Sequence, residues 1–149
     1  MEASIRHRRA ARVLLIDEHN RVLLFRGCDP RQPEDKYWFT VGGGVETGEN
    51  DREAACRELY EETGIRSGTK DLVGPIYETE DDFMFAGRRY IQRQVFFVLR
   101  VIDATIDTSG FGESERATMD RYEWWSSGRL RTTRQRFFPV NLVELLDGV

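Results

Sequence analysis

A run of three glycines followed by a capped helix is the feature that most constrains how this chain folds. Residues 42–44 are all glycine, which permits backbone conformations and close approaches that other residues resist. Asn50 is a favourable N-cap, and Glu53 three residues later completes the pattern of a capping box. The pattern predicts a helix over residues 51–63 that ends at Gly64, where glycine favours the left-handed conformation.

Three glutamates lie on one face of this predicted helix. Glu58, Glu61 and Glu62 are spaced i, i+3 and i+4, which places their Cβ atoms roughly 5–6 Å apart. Like charges at this spacing destabilise a helix by about 0.2–0.5 kcal/mol per pair. Carboxylate oxygens suit Mg²⁺ or Mn²⁺, hard ions that also bind substrate phosphates. An acidic, solvated helix face has the same spacing, so the metal interpretation depends on the surrounding residues.

Glu49 and Arg57 are placed to support these three glutamates. Glu49 precedes the predicted helix, and Arg57 directly precedes Glu58. An ion pair between Glu49 and Arg57 would join the loop to the helix and orient the carboxylates toward a metal ion. Backbone carbonyls of the glycine turn can face the metal, and the N-terminus of the helix can face an anion.

The rest of the chain is predicted to consist mainly of strands. Residues 9–17 and 21–26 are apolar and β-branched, and the turn between them predicts a hairpin. An amphipathic helix is predicted over residues 138–146, with Pro139 in its first turn. Further predictions are strands over 36–41, 72–79, 89–102 and 122–125, a helical turn over 126–130 and a loop over 103–115. This order predicts an α/β fold with helices on both faces of a mixed sheet.

Composition excludes several classes of protein. The chain has 149 residues, enough for one domain, with 40% hydrophobic residues and a formal net charge of −4. The acidic balance argues against a nucleic-acid partner, and the apolar runs are too short to cross a bilayer. The two cysteines, Cys28 and Cys56, form no CxxC motif and no disulfide framework. We therefore expect one cytoplasmic domain without a membrane partner, either a monomer or a homodimer.

The glycines, the glutamates and Arg57 belong to one long gapped pattern. It runs from Gly43 through five residues to Glu49, then through seven residues to the sequence RELYEETGI, which ends at Ile65. This pattern resembles the Nudix box, and the chain is identified as a member of the Nudix hydrolase superfamily with MutT-like features. The flanking sequences RVLLID, RVLLFR and EWWS are also similar to the family. The resemblance implies an α/β/α sandwich with a mixed β-sheet, formed by a single domain over residues 1–149.

The resemblance also implies a reaction. Nudix hydrolases cleave a nucleoside diphosphate linked to another group, by attack of water on phosphorus with Mg²⁺ or Mn²⁺ as the cofactor. Glu58 and Glu62 match the family's principal metal ligands, and Glu61 matches a third ligand or a ligand through water. The carbonyl of Gly42 matches a backbone ligand of MutT-like members.

The same resemblance suggests which groups support the ligands and which accepts a proton. Arg57 and Glu49 match the family's supporting pair. A carboxylate must take the proton of the attacking water. In some members this base lies in the box, where Glu58 is the match. In others it lies in a late loop, where Glu113 and Glu115 are the candidates and Glu115 is preferred.

Two residues outside the box match substrate-binding positions of MutT-like proteins. Arg26 ends a predicted strand where these proteins have a substrate-contacting arginine. Asn141, two residues after Pro139, matches the asparagine with which MutT reads an oxidised guanine. Arg26 also fits a surface charge, and Asn141 also fits the first turn of the final helix. Val41 departs from the pattern, because many members have proline before the glycines.

The favoured substrate is a (deoxy)nucleoside triphosphate, normal or oxidised, which is cleaved to a nucleoside monophosphate. ADP-ribose or a nucleotide sugar is the alternative, and a non-catalytic nucleotide sensor is the alternative of another class. The complete box argues against the sensor. The partner is a small-molecule nucleotide in each case. An RNA-cap substrate is also left open, because the basic residues between positions 129 and 136 could hold a strand.

Overall fold

The computed structural model describes residues 4–149, which form a curled mixed sheet with helices on both faces. Within this part of the chain, the helices and strands are β1 (Ile5–Ile16), β2 (Val22–Gly27), β3 (Tyr37–Gly44), α1 (Asp51–Thr63), β4 (Val73–Phe85), β5 (Arg88–Arg100), α2 (Glu113–Thr118), β6 (Met119–Trp125), α3 (Ser127–Thr132), β7 (Phe137–Phe138) and α4 (Leu142–Asp147). The strands pair in the order β4-β5-β1-β2-β3-β7, and β6 pairs with β2. A 3₁₀ turn covers Thr69–Asp71.

Strand β1 connects the two parts of the sheet. It pairs in parallel with β5 along its whole length, from Ile5 to Ile16. It also pairs antiparallel with β3, where Arg12 lies opposite Gly42. The predicted hairpin of β1 and β2 is present, but the two strands pair only where Ile16 lies opposite Val22. Strand β2 then pairs with β3 and with β6. The middle of β1 therefore lies beside the glycine end of β3.

The side chains of β1 alternate between two apolar cores, as the two-residue period of a strand requires. Val13 and Leu15 pack on one face with Leu59 of α1. Leu14 and Ile16 pack on the other face. That second core also contains Trp38, Trp125, Leu130 of α3 and Leu142 of α4. The predicted α/β architecture, a mixed sheet between helices, is confirmed.

The final helix begins later than the sequence predicts. Phe137 and Phe138 form β7, which pairs in parallel with the edge of β3. The N–H of Trp38 also donates to the carbonyl of Arg136. These bonds hold the chain extended, so Pro139 lies before α4 and not in its first turn. The prediction of a helix over residues 138–146 is therefore wrong at its N-terminal end.

Several other boundaries also differ from the sequence prediction: β1 begins at Ile5, β3 continues to Gly44, and β6 begins at Met119. The loop predicted over residues 103–115 ends early, because α2 begins at Glu113. Strand β4 extends to Phe85 and forms a long antiparallel hairpin with β5. Its outer part is polar and held by cross-strand ion pairs such as Arg89–Asp82 at 2.6 Å, which explains why the apolar pattern ends at residue 79. No helix within residues 4–149 has the length and apolar character needed to span a membrane.

Candidate active site

The turn between β3 and α1 is fixed by its own side chains. The side-chain oxygen of Asn50 accepts from the N–H of Glu53 at 2.8 Å, and the carboxylate of Glu53 accepts from the N–H of Asn50 at 3.0 Å. This is the capping box that the sequence predicts. At the other end, Gly64 has a φ of 75° and its N–H donates to the carbonyl of Tyr60. Both ends of α1 are thus fixed, which sets the direction of its acidic face.

Glu58 and Glu62 lie directly against the glycines of β3. Both are buried, with 7% and 2% of their surface exposed. The N–H of Gly42 donates to Oε1 of Glu62 at 2.9 Å. A Cβ atom on Gly43 would lie 2.7 Å from Oε1 of Glu58, closer than Cβ atoms come in proteins. A side chain at position 43 would therefore displace the carboxylate of Glu58 from its place against the glycines.

A third carboxylate joins this pair from a distant part of the chain. Glu115 of α2 brings an oxygen to Glu58 and Glu62, so that one oxygen from each of the three lies within 4.8 Å of the others. Oε2 of Glu115 is buried and has no hydrogen-bond partner. A buried acceptor without a partner costs about 1–3 kcal/mol, so this arrangement favours binding of a cation.

The electrostatics of the three carboxylates also fit a divalent cation. Burial raises the pKa of Glu58 and of Glu115. Burial and the charge of Glu58 raise the pKa of Glu62 well above its usual range. Three carboxylates this close repel one another when ionised, and a hard cation with oxygen ligands removes that repulsion. The donor set therefore fits Mg²⁺ or Mn²⁺ chemically.

Arg57 joins the loop before α1 to these carboxylates. Its Nε and Nη2 atoms donate to the two oxygens of Glu49 at 2.8 and 2.9 Å, and Nη2 also donates to the carbonyl of Gly44 at 2.8 Å. Its Nη1 atom donates to Oε1 of Glu58 at 3.0 Å. The hydrogen bonds from Arg57 hold the pKa of Glu49 below its usual range. One guanidinium thus fixes both the loop and a carboxylate of the cluster.

Glu61 lies outside the group of three carboxylates. Its side chain is 39% exposed, and Oε2 lies 3.3 Å from Nη1 of Arg57. Within residues 4–149, the acidic group close enough to share an ion consists of Glu58, Glu62 and Glu115. The role of Glu61 as a third ligand, or as a ligand through water, stays a prediction.

The carbonyl of Gly42 contacts a residue that sequence reasoning missed. Nη1 of Arg12 donates to this carbonyl at 2.9 Å, and Nε of Arg12 donates to Oε1 of Gln94 at 2.9 Å. Gly42 has a φ of 134°, and a Cβ atom there would lie 2.2 Å from the carbonyl of Ala11. Arg12 therefore orients the carbonyl of Gly42, and the role of this carbonyl as a metal ligand stays a prediction. The available signal was an arginine at the start of the apolar run RVLLID.

Comparison with known proteins identifies the family. A model of the NUDIX domain matches residues 6–146. The chain belongs to the Nudix family. An RNA pyrophosphohydrolase of Nitrobacter winogradskyi is 35% identical over 127 residues, which cover 79% of this chain and 75% of that protein. An RNA pyrophosphohydrolase of Sphingopyxis alaskensis is 32% identical over 111 residues, which cover 68% of each protein. The chain is thus a Nudix pyrophosphohydrolase.

Solved structures share the Nudix fold at lower identity. A MutT Nudix hydrolase from Burkholderia pseudomallei has a TM-score of 0.65 at 18% identity, with 97% of this chain and 98% of that chain covered. A MutT protein from Methanosarcina mazei Go1 has a TM-score of 0.64 at 20% identity, with 99% and 95% covered. At these identities the likeness supports the fold alone.

The two predicted substrate-binding residues lie outside the Nudix box. Nε and Nη2 of Arg26 donate to the two oxygens of Asp120 at 2.9 and 2.6 Å, and the guanidinium lies over the ring of Trp38. Asn141 directly precedes α4, and its side chain does not cap that helix. Asp120 thus fixes the orientation of Arg26, and the binding roles of Arg26 and Asn141 stay predictions.

Proposed function

We propose that this Nudix enzyme hydrolyses the pyrophosphate bond of a nucleotide with a divalent ion bound by Glu58, Glu62 and Glu115. The observation that carries the proposal is the buried oxygen of Glu115, which has no partner and lies in a group of three carboxylates. Mg²⁺ or Mn²⁺ suits these ligands. When bound, such an ion polarises a phosphoryl oxygen and lowers the pKa of bound water.

We propose Glu115 as the acceptor of the water's proton, the late acid that the sequence favours for this role. Arg57 and the N–H of Gly42 hold Glu58 and Glu62 in place through one oxygen each. Burial raises the pKa of Glu115, which strengthens this carboxylate as a base. Arg57 and Glu49 act by holding Glu58 and the loop in position.

The proposed substrate is RNA that carries a phosphate chain at its end. RNA has a pyrophosphate bond only where such a chain is attached, because its internal linkages are phosphodiesters. The support is the similarity to two proteins named RNA pyrophosphohydrolase, each at least 32% identical to this chain. The acidic balance of the chain is compatible with this substrate if recognition is confined to the end of the strand.

The basic stretch over residues 129–136 contributes less to RNA binding than its sequence suggests. Three of its arginines already have carboxylate partners, in the pairs Arg129–Glu123, Arg131–Asp147 and Arg136–Asp35. Each arginine that contacts a backbone phosphate releases counterions and steepens the dependence of affinity on salt. We therefore expect the affinity for RNA to depend only weakly on salt concentration.

A free nucleoside triphosphate, normal or oxidised, is the second candidate substrate. The feature that favours it is Asn141, whose side-chain amide is not used to cap α4 and so is available to contact a base. Cleavage of such a substrate to a nucleoside monophosphate releases pyrophosphate. The same carboxylates serve both candidates, so the metal site does not distinguish them.

Turnover of a substrate panel tests the proposal. The panel contains 5′-triphosphorylated RNA, GTP, 8-oxo-dGTP and ADP-ribose, each with Mg²⁺ or Mn²⁺, and the products are separated by chromatography. We expect the RNA to have the highest kcat/KM, and Glu62→Gln to lower it by at least about 10–100-fold. The matched control Glu80→Gln changes an exposed glutamate of β4 and should leave turnover unchanged.

Each outcome of the panel has a definite meaning. If GTP or 8-oxo-dGTP has the highest kcat/KM, the free triphosphate is the substrate and the RNA proposal is wrong. If Glu62→Gln retains full activity with any substrate, the three carboxylates do not bind the catalytic ion.

A further inference from the structure

Residues 107–112 cross the C-terminal half of α1 and lead directly into α2. The N–H of Asp107 donates to the carbonyl of Thr63 at 2.8 Å. A Cβ atom on Gly64 would lie 3.0 Å from Cβ of Asp107, so the two stretches of chain touch at the end of α1. The segment that positions Glu115 is thus packed on the helix that bears Glu58 and Glu62.

Gly110 is where this segment comes closest to the helix backbone. A Cβ atom there would lie 2.6 Å from the carbonyl oxygen of Glu61 and 3.2 Å from its Cα atom. These atoms belong to the backbone of α1, which cannot rotate away as a side chain could. The contact itself therefore requires glycine at this position.

The contacts beside Gly110 connect this segment to the sheet and to α2. The ring of Phe111 packs edge-on against Phe25, with centroids 5.4 Å apart. Nη2 of Arg116 donates to the carbonyl of Ser109 at 2.7 Å, so a hydrogen bond joins α2 to the turn that precedes it. A displacement at Gly110 is therefore passed on to α2 and to Glu115.

We infer that Gly110 is a positioning residue whose contact with the backbone of Glu61 sets the separation of Glu115 from Glu58 and Glu62. The inference rests on the proposed function, because it assumes that these carboxylates share an ion. An alanine at position 110 must move by about 0.8 Å to reach an ordinary contact of 3.4 Å. Misplacement of a catalytic group by about 1 Å can cost about 100-fold in rate.

Substitution of Gly110 by alanine tests this inference directly. We expect Gly110→Ala to weaken Mn²⁺ binding by about tenfold, measured by electron paramagnetic resonance without substrate. We expect kcat to fall by about 10–100-fold at saturating Mn²⁺. The matched control is Gly112→Ala, because a Cβ atom on Gly112 meets nothing within 4 Å and its φ of −73° suits alanine. This control should bind Mn²⁺ as the wild type does.

A double-mutant cycle separates positioning from a general loss of stability. Glu115→Gln by itself should weaken Mn²⁺ binding. If Gly110 acts through Glu115, adding Gly110→Ala to Glu115→Gln should produce no further loss of Mn²⁺ affinity. A loss equal to that in the wild-type background would overturn the inference, because Gly110 would then act by another route.

Three other outcomes are equally decisive. If Gly110→Ala binds Mn²⁺ like Gly112→Ala, the inference is wrong while the proposed function can stand. If Glu115→Gln binds Mn²⁺ like the wild type, Glu115 is not a ligand, and both the inference and the proposed ligand set are wrong. If the wild type itself binds no Mn²⁺ and turns over no substrate, the proposed function fails, and the positioning role fails with it.

Discussion

Replacement of Glu62 by glutamine should stabilise the metal-free protein and abolish its stabilisation by metal. Glu62 is buried, and burial together with the charge of Glu58 raises its pKa well above the usual range. Glutamine keeps an oxygen that can accept the N–H of Gly42, the bond that Glu62 makes at 2.9 Å. It removes only the charge that the buried site cannot accommodate without a cation.

The pH dependence of this effect follows from the direction of the pKa shift. A carboxyl group whose pKa is raised in the folded state keeps its proton there after the unfolded chain has released it. Its contribution to stability is therefore complete below the unfolded pKa, about 4.3 for glutamate, and is lost as pH rises through the folded pKa. The gain from Glu62→Gln is consequently small at pH 5 and larger at pH 8.

The size of the gain at pH 8 follows from the cost of a poorly paired buried group. That cost is about 1–3 kcal/mol. One kcal/mol corresponds to about 2–4 °C in Tm for a chain of this size. We therefore expect the Tm of metal-free Glu62→Gln to exceed that of the wild type by about 2–12 °C at pH 8.

Thermal unfolding with EDTA or with Mn²⁺, at pH 5 and pH 8, provides the assay. At about 100 times its Kd, Mn²⁺ should stabilise the wild type by about 2.7 kcal/mol, whereas Glu62→Gln should gain little. The matched control is Glu61→Gln on the same helix, whose exposed side chain should give no metal-free gain at pH 8. A metal-free Glu62→Gln that melts below the wild type at pH 8 would refute this reasoning.

The structure also predicts how three other substitutions change metal affinity, stability or kcat. Arg57→Lys should weaken Mn²⁺ affinity by about 10–100-fold in a binding titration, because lysine cannot form the bidentate hydrogen bonds of Arg57 with Glu49. Unchanged affinity would show that these bonds do not position the metal ligands. Arg52→Met removes hydrogen bonds to three carbonyls in residues 69–74 and should cost about 2–4 kcal/mol in urea unfolding, while the kcat of the folded protein is unchanged. Gly43→Ala places a Cβ atom against the carboxylate of Glu58 and should lower kcat at least about tenfold; wild-type kinetics would show that the contact is not restrictive.

Much of the Nudix box could be predicted from sequence because its signals are local. The N-cap at Asn50 and the end at Gly64 depend on residues within a few positions of each other, and both bounds of α1 agree with the structure. The spacing of Glu58 and Glu62 then follows from helix geometry alone. The burial of these glutamates against the glycines depends on the same short stretch of chain.

The other parts of the site and the start of the final helix depend on contacts between distant segments, which sequence spacing does not reveal. Glu115 could be proposed only as one of two acids in a late loop, because its place beside Glu62 is set by packing of residues 107–112 on α1. The pairing of Phe137–Phe138 with β3 overrode the helical pattern there. Arg12 was missed because its partners, Gly42 and Gln94, lie on other strands.

Anomalous diffraction from crystals of the protein soaked in Mn²⁺ tests most directly whether Glu58, Glu62 and Glu115 bind the ion. We expect an anomalous peak within coordination distance of carboxylate oxygens of all three residues, and loss of this peak in Glu62→Gln. A peak elsewhere, or no peak among these three carboxylates at a Mn²⁺ concentration that supports turnover, would show that they do not form the metal site.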